Sequence, residues 1–248
     1  MSKISVNPQD KTAFITGANR GIGKAIAIEL LENGLKTLYA GARNLETIKA
    51  LKDVYGNRII PVQIDVTDQA SIASAASQIE NLDILVNNAG VFSIGKIFSE
   101  QANSSLEENL NVNVWGVIHV SNAVINHLKK DSETAIINIS SIAGLGNMPM
   151  AATYSISKAA VHSITQGMRG ELANENTLIM GVYPGPIDTD MAAGLEMEKD
   201  SAENVAKLIV QGLINGTEDV FPDIMSKQVG EIYATNPKGV EQQFGAFV

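Results

Sequence analysis

Short apolar runs alternate along this chain with stretches in which apolar residues recur at helical spacing. Thr12–Thr16, Thr37–Ala40, Ile59–Ile64, Ile84–Val86, Ala135–Ile139 and Leu178–Val182 are brief, continuous and rich in Ile and Val. Strands buried on both faces of a parallel sheet read this way, whereas a sheet with one wet face alternates apolar and polar positions. Between the runs, Gly21–Leu31, Leu45–Val54, Ala70–Ile79, Glu100–Lys129, Thr153–Ala173 and Ala202–Leu213 read as helices. The alternation predicts βαβ units with right-handed crossovers: an α/β, doubly wound parallel sheet of about seven strands with helices on both faces. No repeat, low-complexity tract or linker interrupts the 248 residues, so a single domain over 1–248 is expected. A last short strand is expected near Val220–Phe221. The pattern of the C-terminal tail, 237–248, leaves a helix and a loosely held segment equally open.

Composition narrows the function. Lys plus Arg total 18 against 27 Asp plus Glu, a formal charge of -9. Such a surface disfavours nucleic acid and anionic membranes as partners. No apolar run reaches the roughly 20 residues that cross a bilayer, and Met1 to Lys11 lacks the apolar core of a signal peptide. Cysteine is absent, which removes disulfides and thiolate chemistry and suits a cytoplasmic location. The 3 histidines, His119, His127 and His162, show no metal-ligand spacing, so no metal is expected.

Against this plain background one loop stands out. Thr16-Gly17-Ala18-Asn19-Arg20-Gly21-Ile22-Gly23 falls between the first predicted strand and the first helix. Glycines there permit a tight turn and let backbone amides approach a pyrophosphate, while the helix N-terminus offers free N–H groups and partial positive charge. By itself the cluster also fits an ordinary strand–helix turn. The order of the later motifs is more specific: Asp65-Val66 after the third strand, Asn87-Asn88-Ala89-Gly90 after the fourth, Asn113 in a helix, and Tyr154-x3-Lys158 after the fifth. With its T-G-x3-G-x-G spacing, this set resembles the main branch of the short-chain dehydrogenase/reductase family, carbonyl reductases in particular, from about Lys11 to Thr189. The resemblance implies a Rossmann fold that binds a dinucleotide through Gly17, Asn19, Arg20, Gly21, Ile22 and Gly23. Asp65 and Val66, with Asn88, Ala89 and Gly90, would line the same site, Asp65 holding the adenine amino group.

The choice of cofactor turns on the end of the second strand. NAD-preferring enzymes commonly place a carboxylate there for the ribose hydroxyls. This chain has Ala42, then Arg43, with Arg20 in the glycine loop. Two arginines converging on a ribose 2′-phosphate would supply charge-assisted donors; the competing reading is a pair of solvated surface side chains. In the resembling family, arginine without acid goes with NADP(H), which is the expected cofactor.

Tyr154 and Lys158 are one helical turn apart and can meet one ligand. A tyrosine titrates near 10 when unperturbed and needs help to exchange protons near neutrality. An ammonium at roughly 4 Å, at an effective dielectric of ~20, favours the phenolate by about 4 kcal/mol before desolvation opposes it. By resemblance, Tyr154 is the proton donor, Lys158 binds the nicotinamide ribose and tunes the tyrosine, Ser141 orients the substrate oxygen, and Asn113 holds a water in the relay. Two neighbours compete: Ser140, which strand alternation sends to the opposite face, and Asn111, which lacks the N-x2-G match of Asn113 with Gly116. After the sixth strand, the family's proline-glycine turn and threonine imply that Pro184, Gly185, Ile187 and Thr189 hold the carboxamide.

Residues 190–200 would then form a short substrate lid. Met191, Leu195 and Met197, with Leu145, Met148 and Met150, either line an adaptable apolar pocket or fill gaps beneath a mobile loop. A small or medium apolar ketone or aldehyde is the expected substrate. The chain lacks the glycine-rich final strand of many relatives, so a homodimer and a homotetramer both stay open; Ala159, Ala160 and Ser163 are small enough for close helix contact. Two rival functions stand beside carbonyl reduction: an alcohol or sugar dehydrogenase working oxidatively, and an NADP(H)-binding sensor without turnover.

Overall fold

The computed structural model describes residues 4–194 and 196–247. Its centre is a seven-stranded parallel sheet in the order β3-β2-β1-β4-β5-β6-β9. The strands are β1 (Thr12–Thr16), β2 (Thr37–Ala42), β3 (Ile59–Gln63), β4 (Ile84–Asn87), β5 (Thr134–Ile139), β6 (Thr177–Val182) and the short edge strand β9 (Asp219–Val220). Every residue of β4 and β5 is buried, which is why those runs show no alternation. The order reverses between β1 and β4, and at that switch point the carboxyl ends of the strands part to form a crevice.

Helices cover both faces. α1 (Gly21–Glu32), α2 (Lys49–Tyr55) and α7 (Ala202–Ile214) bury an aliphatic cluster that includes Ile26, Leu30, Ile48, Val205 and Ile209. On the other face, α3 (Gln69–Ala76) and α5 (Gly116–Val124) close over Phe14, Val62, Leu85 and Ile136, with α6 (Ala152–Glu171) completing the layer. The helix expected over Glu100–Lys129 is not continuous. α4 (Ala102–Asn109) passes into a π-helical stretch, Leu110–Trp115, before α5 begins.

Two further helices, α8 (Ile224–Thr235) and α9 (Pro237–Phe244), answer the question left at the C-terminus: residues 237–244 are helical and packed against the domain. Val229, Val240 and Phe244 are fully buried against Ile142 and Tyr183, forming a third apolar cluster beside the crevice. Residues 190–200 also have defined ends. β7 (Ile187–Asp188) pairs in parallel with β8 (Asp200–Ser201), closing the base of the intervening segment.

Candidate active site

The crevice at the switch point opens into one cleft of about 1000 Å³. Its floor is built where β1 ends. Gly17 has φ +68°, and a Cβ there would sit 3.0 Å from the Asn88 amide nitrogen. A Cβ on Gly23 would strike that same amide and the Gly17 carbonyl. Asn88 is fixed in this narrow space by donating to the carbonyls of Thr16 (2.9 Å) and Gly17 (3.1 Å). In return, the Thr16 hydroxyl accepts from the backbone N–H of Asn88 (3.1 Å) and Ala89 (3.0 Å). The loop after β1 and the loop after β4 are thereby locked into one surface.

α1 begins at this surface with no side chain capping it and no acidic residue in its first turn. Its N–H groups and dipole are left for an anion. Arg20 and Arg43 are exposed at the same end of the cleft, and Ala42 puts no carboxylate there. Arg20 pairs with Asp190 at 3.2 Å, whereas Arg43 forms no salt bridge among the described residues. Asp65 accepts from the backbone N–H and hydroxyl of Thr67 (2.9 and 2.7 Å), which, helped by the Arg43 charge, holds its carboxyl below the usual range. An open amide cradle with two exposed arginines, and no carboxylate at position 42, fits a dinucleotide bearing an extra phosphate, for which Arg20 would exchange its exposed pairing with Asp190.

At the other end, Tyr154 stands in the first turn of α6 and Lys158 one turn later. Phe92 meets the Tyr154 ring edge-on at 4.8 Å between centroids, and the Lys158 ammonium lies 5.7 Å from the centre of that ring. Lys158 is only 6% exposed and donates to the Ile139 carbonyl at 2.9 Å. Burial pulls its ammonium down to about 8. Burial also pushes the Tyr154 phenol up to about 12, although a hydrogen bond with Ser141 acts in the opposite sense. This reverses the direction expected from the tyrosine–lysine pairing alone: the Lys158 ammonium is hydrogen-bonded to the Ile139 carbonyl, and desolvation sets the direction of the shift.

Ser141 lines the cleft, its hydroxyl donating to Pro184 O (3.3 Å) and accepting from Ala143 N (3.2 Å). The Ser140 hydroxyl is committed instead to the Lys158 carbonyl at 2.9 Å, fastening α6 to β5. Asn113 is buried and Asn111 exposed, which separates those two candidates. The Asn113 amide accepts from Val91 N (2.8 Å) and donates to Val91 O (3.0 Å) and the Ser157 hydroxyl (3.0 Å). It therefore ties the π-helical stretch to α6 and to the loop after β4.

Gly17, Asn19, Arg20, Gly21, Ile22, Arg43, Asp65, Val66, Asn88, Ala89, Gly90, Ser141, Tyr154, Lys158, Pro184, Gly185, Ile187 and Thr189 all line the cleft. Gly23 and Asn113 do not; both stand behind its wall and shape it. Of the expected apolar lining, Met148, Met150, Met191 and Met197 face the cleft. Leu145 does not, because it packs into the C-terminal apolar cluster instead. Leu195 lies outside the described residues. Sequence reasoning missed Phe92, Met225 and Phe247 in the lining, and it missed Asp223 behind it. Asp223 caps α8 by accepting from Ser226 N (2.8 Å) and also accepts from Gly185 N (2.8 Å), so α8 anchors the loop after β6. An aspartate three residues before a serine at a helix start was the one available signal for the cap. Nothing local pointed to Gly185.

A doubly wound sheet with a glycine-rich loop at its switch point and a tyrosine–lysine pair across the cleft defines a dinucleotide-dependent α/β enzyme architecture. The chain matches the short chain dehydrogenase family over residues 11–200 and belongs to that family of oxidoreductases. It is 34% identical over 194 residues to an uncharacterized oxidoreductase of Staphylococcus saprophyticus, covering 75% of this chain and 82% of the relative. A Burkholderia cenocepacia short chain dehydrogenase solved in complex with NADP is 29% identical with TM-score 0.89, covering 97% of this chain and 99% of that one. A Burkholderia phymatum short chain dehydrogenase/reductase solved in complex with NAD, 22% identical with TM-score 0.82 over 96% of each chain, shares the fold. Among the described residues no helix is long and apolar enough to cross a membrane.

Proposed function

We propose that this oxidoreductase uses NADP(H) to reduce a ketone or aldehyde to an alcohol. The observation that carries the reading is geometric: Tyr154, Ser141 and Lys158 meet in one cleft, with the Lys158 ammonium 5.7 Å from the centre of the Tyr154 ring, so a proton donor, an orienting hydroxyl and a cation stand together. Burial holds the Tyr154 phenol protonated at physiological pH, the form that gives a proton in reduction. The Arg20–Arg43 end, with Ala42 in place of an acid, supports NADP(H) over NAD(H), and the NADP-bound Burkholderia cenocepacia relative supports it further.

The backbone amides of the Gly17–Gly23 loop and the N-terminus of α1 would hold the pyrophosphate, Arg20 and Arg43 the 2′-phosphate, and Pro184, Gly185, Ile187 and Thr189 the nicotinamide. When bound, the reduced cofactor supplies the hydride. Ser141 donates to the substrate carbonyl oxygen and orients it. Tyr154 passes its proton to that oxygen as negative charge develops there. Lys158 stabilises the phenolate left behind, and Asn113 keeps Ser157 and the first turn of α6 in register for the proton's replacement.

The test is absorbance of NADPH and NADH over a panel of aldehydes, aryl ketones, ketoesters and sugar ketones. Turnover with NADPH, strongly preferred over NADH, is expected. Tight NADPH binding without turnover of any carbonyl would overturn the reductase reading.

A further inference from the structure

One wall of the cleft is made by Phe247, three residues beyond α9. Phe247 lines the cleft together with Met150 and Met225, and its carbonyl accepts from Met150 N at 3.0 Å, four residues before Tyr154. This contact is not an isolated touch. α9 lies so close to the loop after β5 that a Cβ on Gly146 would sit 2.8 Å from Val240 and 3.1 Å from Phe244. Phe244 is fully buried and meets Phe247 edge-on, with 6.2 Å between ring centroids. The preceding helix is fastened from the other side of the cleft by the Asp223–Gly185 hydrogen bond. Both loops that frame Tyr154 are therefore held by the C-terminal helices of the same chain.

The chemistry of this wall is mainly apolar and holds no cation. Arg20, Arg43 and Lys158, the cations that line the cleft, lie along the glycine loop, after β2 and beside Tyr154. Away from these cations the lining carries Met148, Met150, Met191, Met197, Met225 and Phe247, and its only charges among the described residues of the 190–197 segment are the carboxylates of Asp190 and Glu196. An anionic substrate placed there would lose hydration without a partner. Methionines adapt to substrates of varied outline, whereas an aromatic ring sets a fixed limit.

We infer that Phe247 is a specificity-determining residue: the C-terminal segment closes the substrate end of the cleft in cis and restricts it to uncharged, apolar carbonyl compounds of limited length. The inference rests on the reductase reading. Its test compares wild type, Phe247→Ala and Phe247→Trp over a homologous series of methyl n-alkyl ketones, by kcat/KM with NADPH and by calorimetric binding to the NADP+ complex. Wild type has a length cut-off. Phe247→Ala moves the cut-off to longer chains, raising kcat/KM for the first excluded ketones by roughly tenfold or more, the scale on which apolar walls discriminate. Phe247→Trp moves it to shorter chains. The KM for NADPH stays unchanged in both, and a ketone ending in a carboxylate is refused by all three proteins. Identical length profiles with turnover intact would overturn the wall and leave the reductase standing. Neither turnover nor binding of any ketone by wild type would overturn the reductase reading and the wall with it.

Discussion

Replacing Lys158 with methionine should make the cofactor-free protein more stable while abolishing its activity. The Lys158 side chain is enclosed, its ammonium donates to the Ile139 carbonyl, and it forms no salt bridge with a carboxylate among the described residues. Burial lowers it from 10.5 to about 8. At about 1.4 kcal/mol per pH unit, keeping that ammonium charged in the folded protein at pH 7 costs roughly 3 kcal/mol. Methionine has similar length and no charge to desolvate. It leaves the Ile139 carbonyl without its donor, an offset of about 1 kcal/mol. The net gain of roughly 2 kcal/mol corresponds to a Tm increase of about 4–8 °C for a domain of this size. The pH dependence gives the sharper signature. A lysine depressed in the folded state binds fewer protons there than in the unfolded chain, so wild-type stability rises with pH between about 8 and 10.5. The advantage of Lys158→Met is therefore complete below pH 8 and fades across that window. Thermal unfolding of both proteins at a series of pH values reads it directly. A variant no more stable than wild type at pH 7, with a gap that does not change up to pH 10, would refute the reasoning.

The same geometry sets three other expectations. Arg20→Ala and Arg43→Ala should each raise the KM for NADPH by roughly tenfold or more, the value of a charge-assisted contact, and change that for NADH little; equal effects on both would remove the 2′-phosphate assignment. Reduction measured as kcat/KM should hold steady up to pH 8 and decline above it as Lys158 loses its proton, while Tyr154 stays a neutral donor throughout. A rate that climbs through pH 8 would contradict the role given to the ammonium. Asp223→Ala should lower stability by roughly 2–4 kcal/mol in chemical denaturation, because it unpairs Ser226 N and Gly185 N together; a change below the measurement error would show that the loop after β6 is held by other means.

The sheet was legible because its central strands leave no ambiguity. Ile84–Asn87 and Thr134–Ile139 are buried on both faces, and their cores, Ile84–Val86 and Ala135–Ile137, are the continuous apolar runs such burial favours. The phosphate loop and the Tyr154–Lys158 pair were legible because each is a local pattern, four to eight residues long, with a local physical reason. What escaped was set by distance or by small irregularities. The π-helical stretch at Leu110–Trp115 shifts hydrogen bonding without disturbing the apolar pattern around it. α9 presents only Val240 and Phe244 as buried residues, too few for periodicity to reveal, and its start depends on the Asn236 cap. Leu145 was a candidate for either the cleft or the packing beneath it, and it packs into the cluster of Ile142, Tyr183, Val240 and Phe244. Asp223 holds a glycine 38 residues away, which no local pattern encodes. The direction of the Tyr154 shift is set by how deeply the fold buries its phenol, which no local pattern around Tyr154 encodes.

The central claim is that Tyr154 gives the proton in an NADPH-dependent reduction. Tyr154→Phe removes the hydroxyl and keeps the ring against Phe92, so the cleft and the cofactor site stay intact. Steady-state NADPH oxidation with the best carbonyl substrate of wild type, paired with calorimetric NADPH binding, is the most direct measurement. The account predicts unchanged NADPH affinity and a loss of turnover on the order of 10²–10⁴, the contribution of a positioned general acid. Substantial turnover remaining in the variant would contradict it.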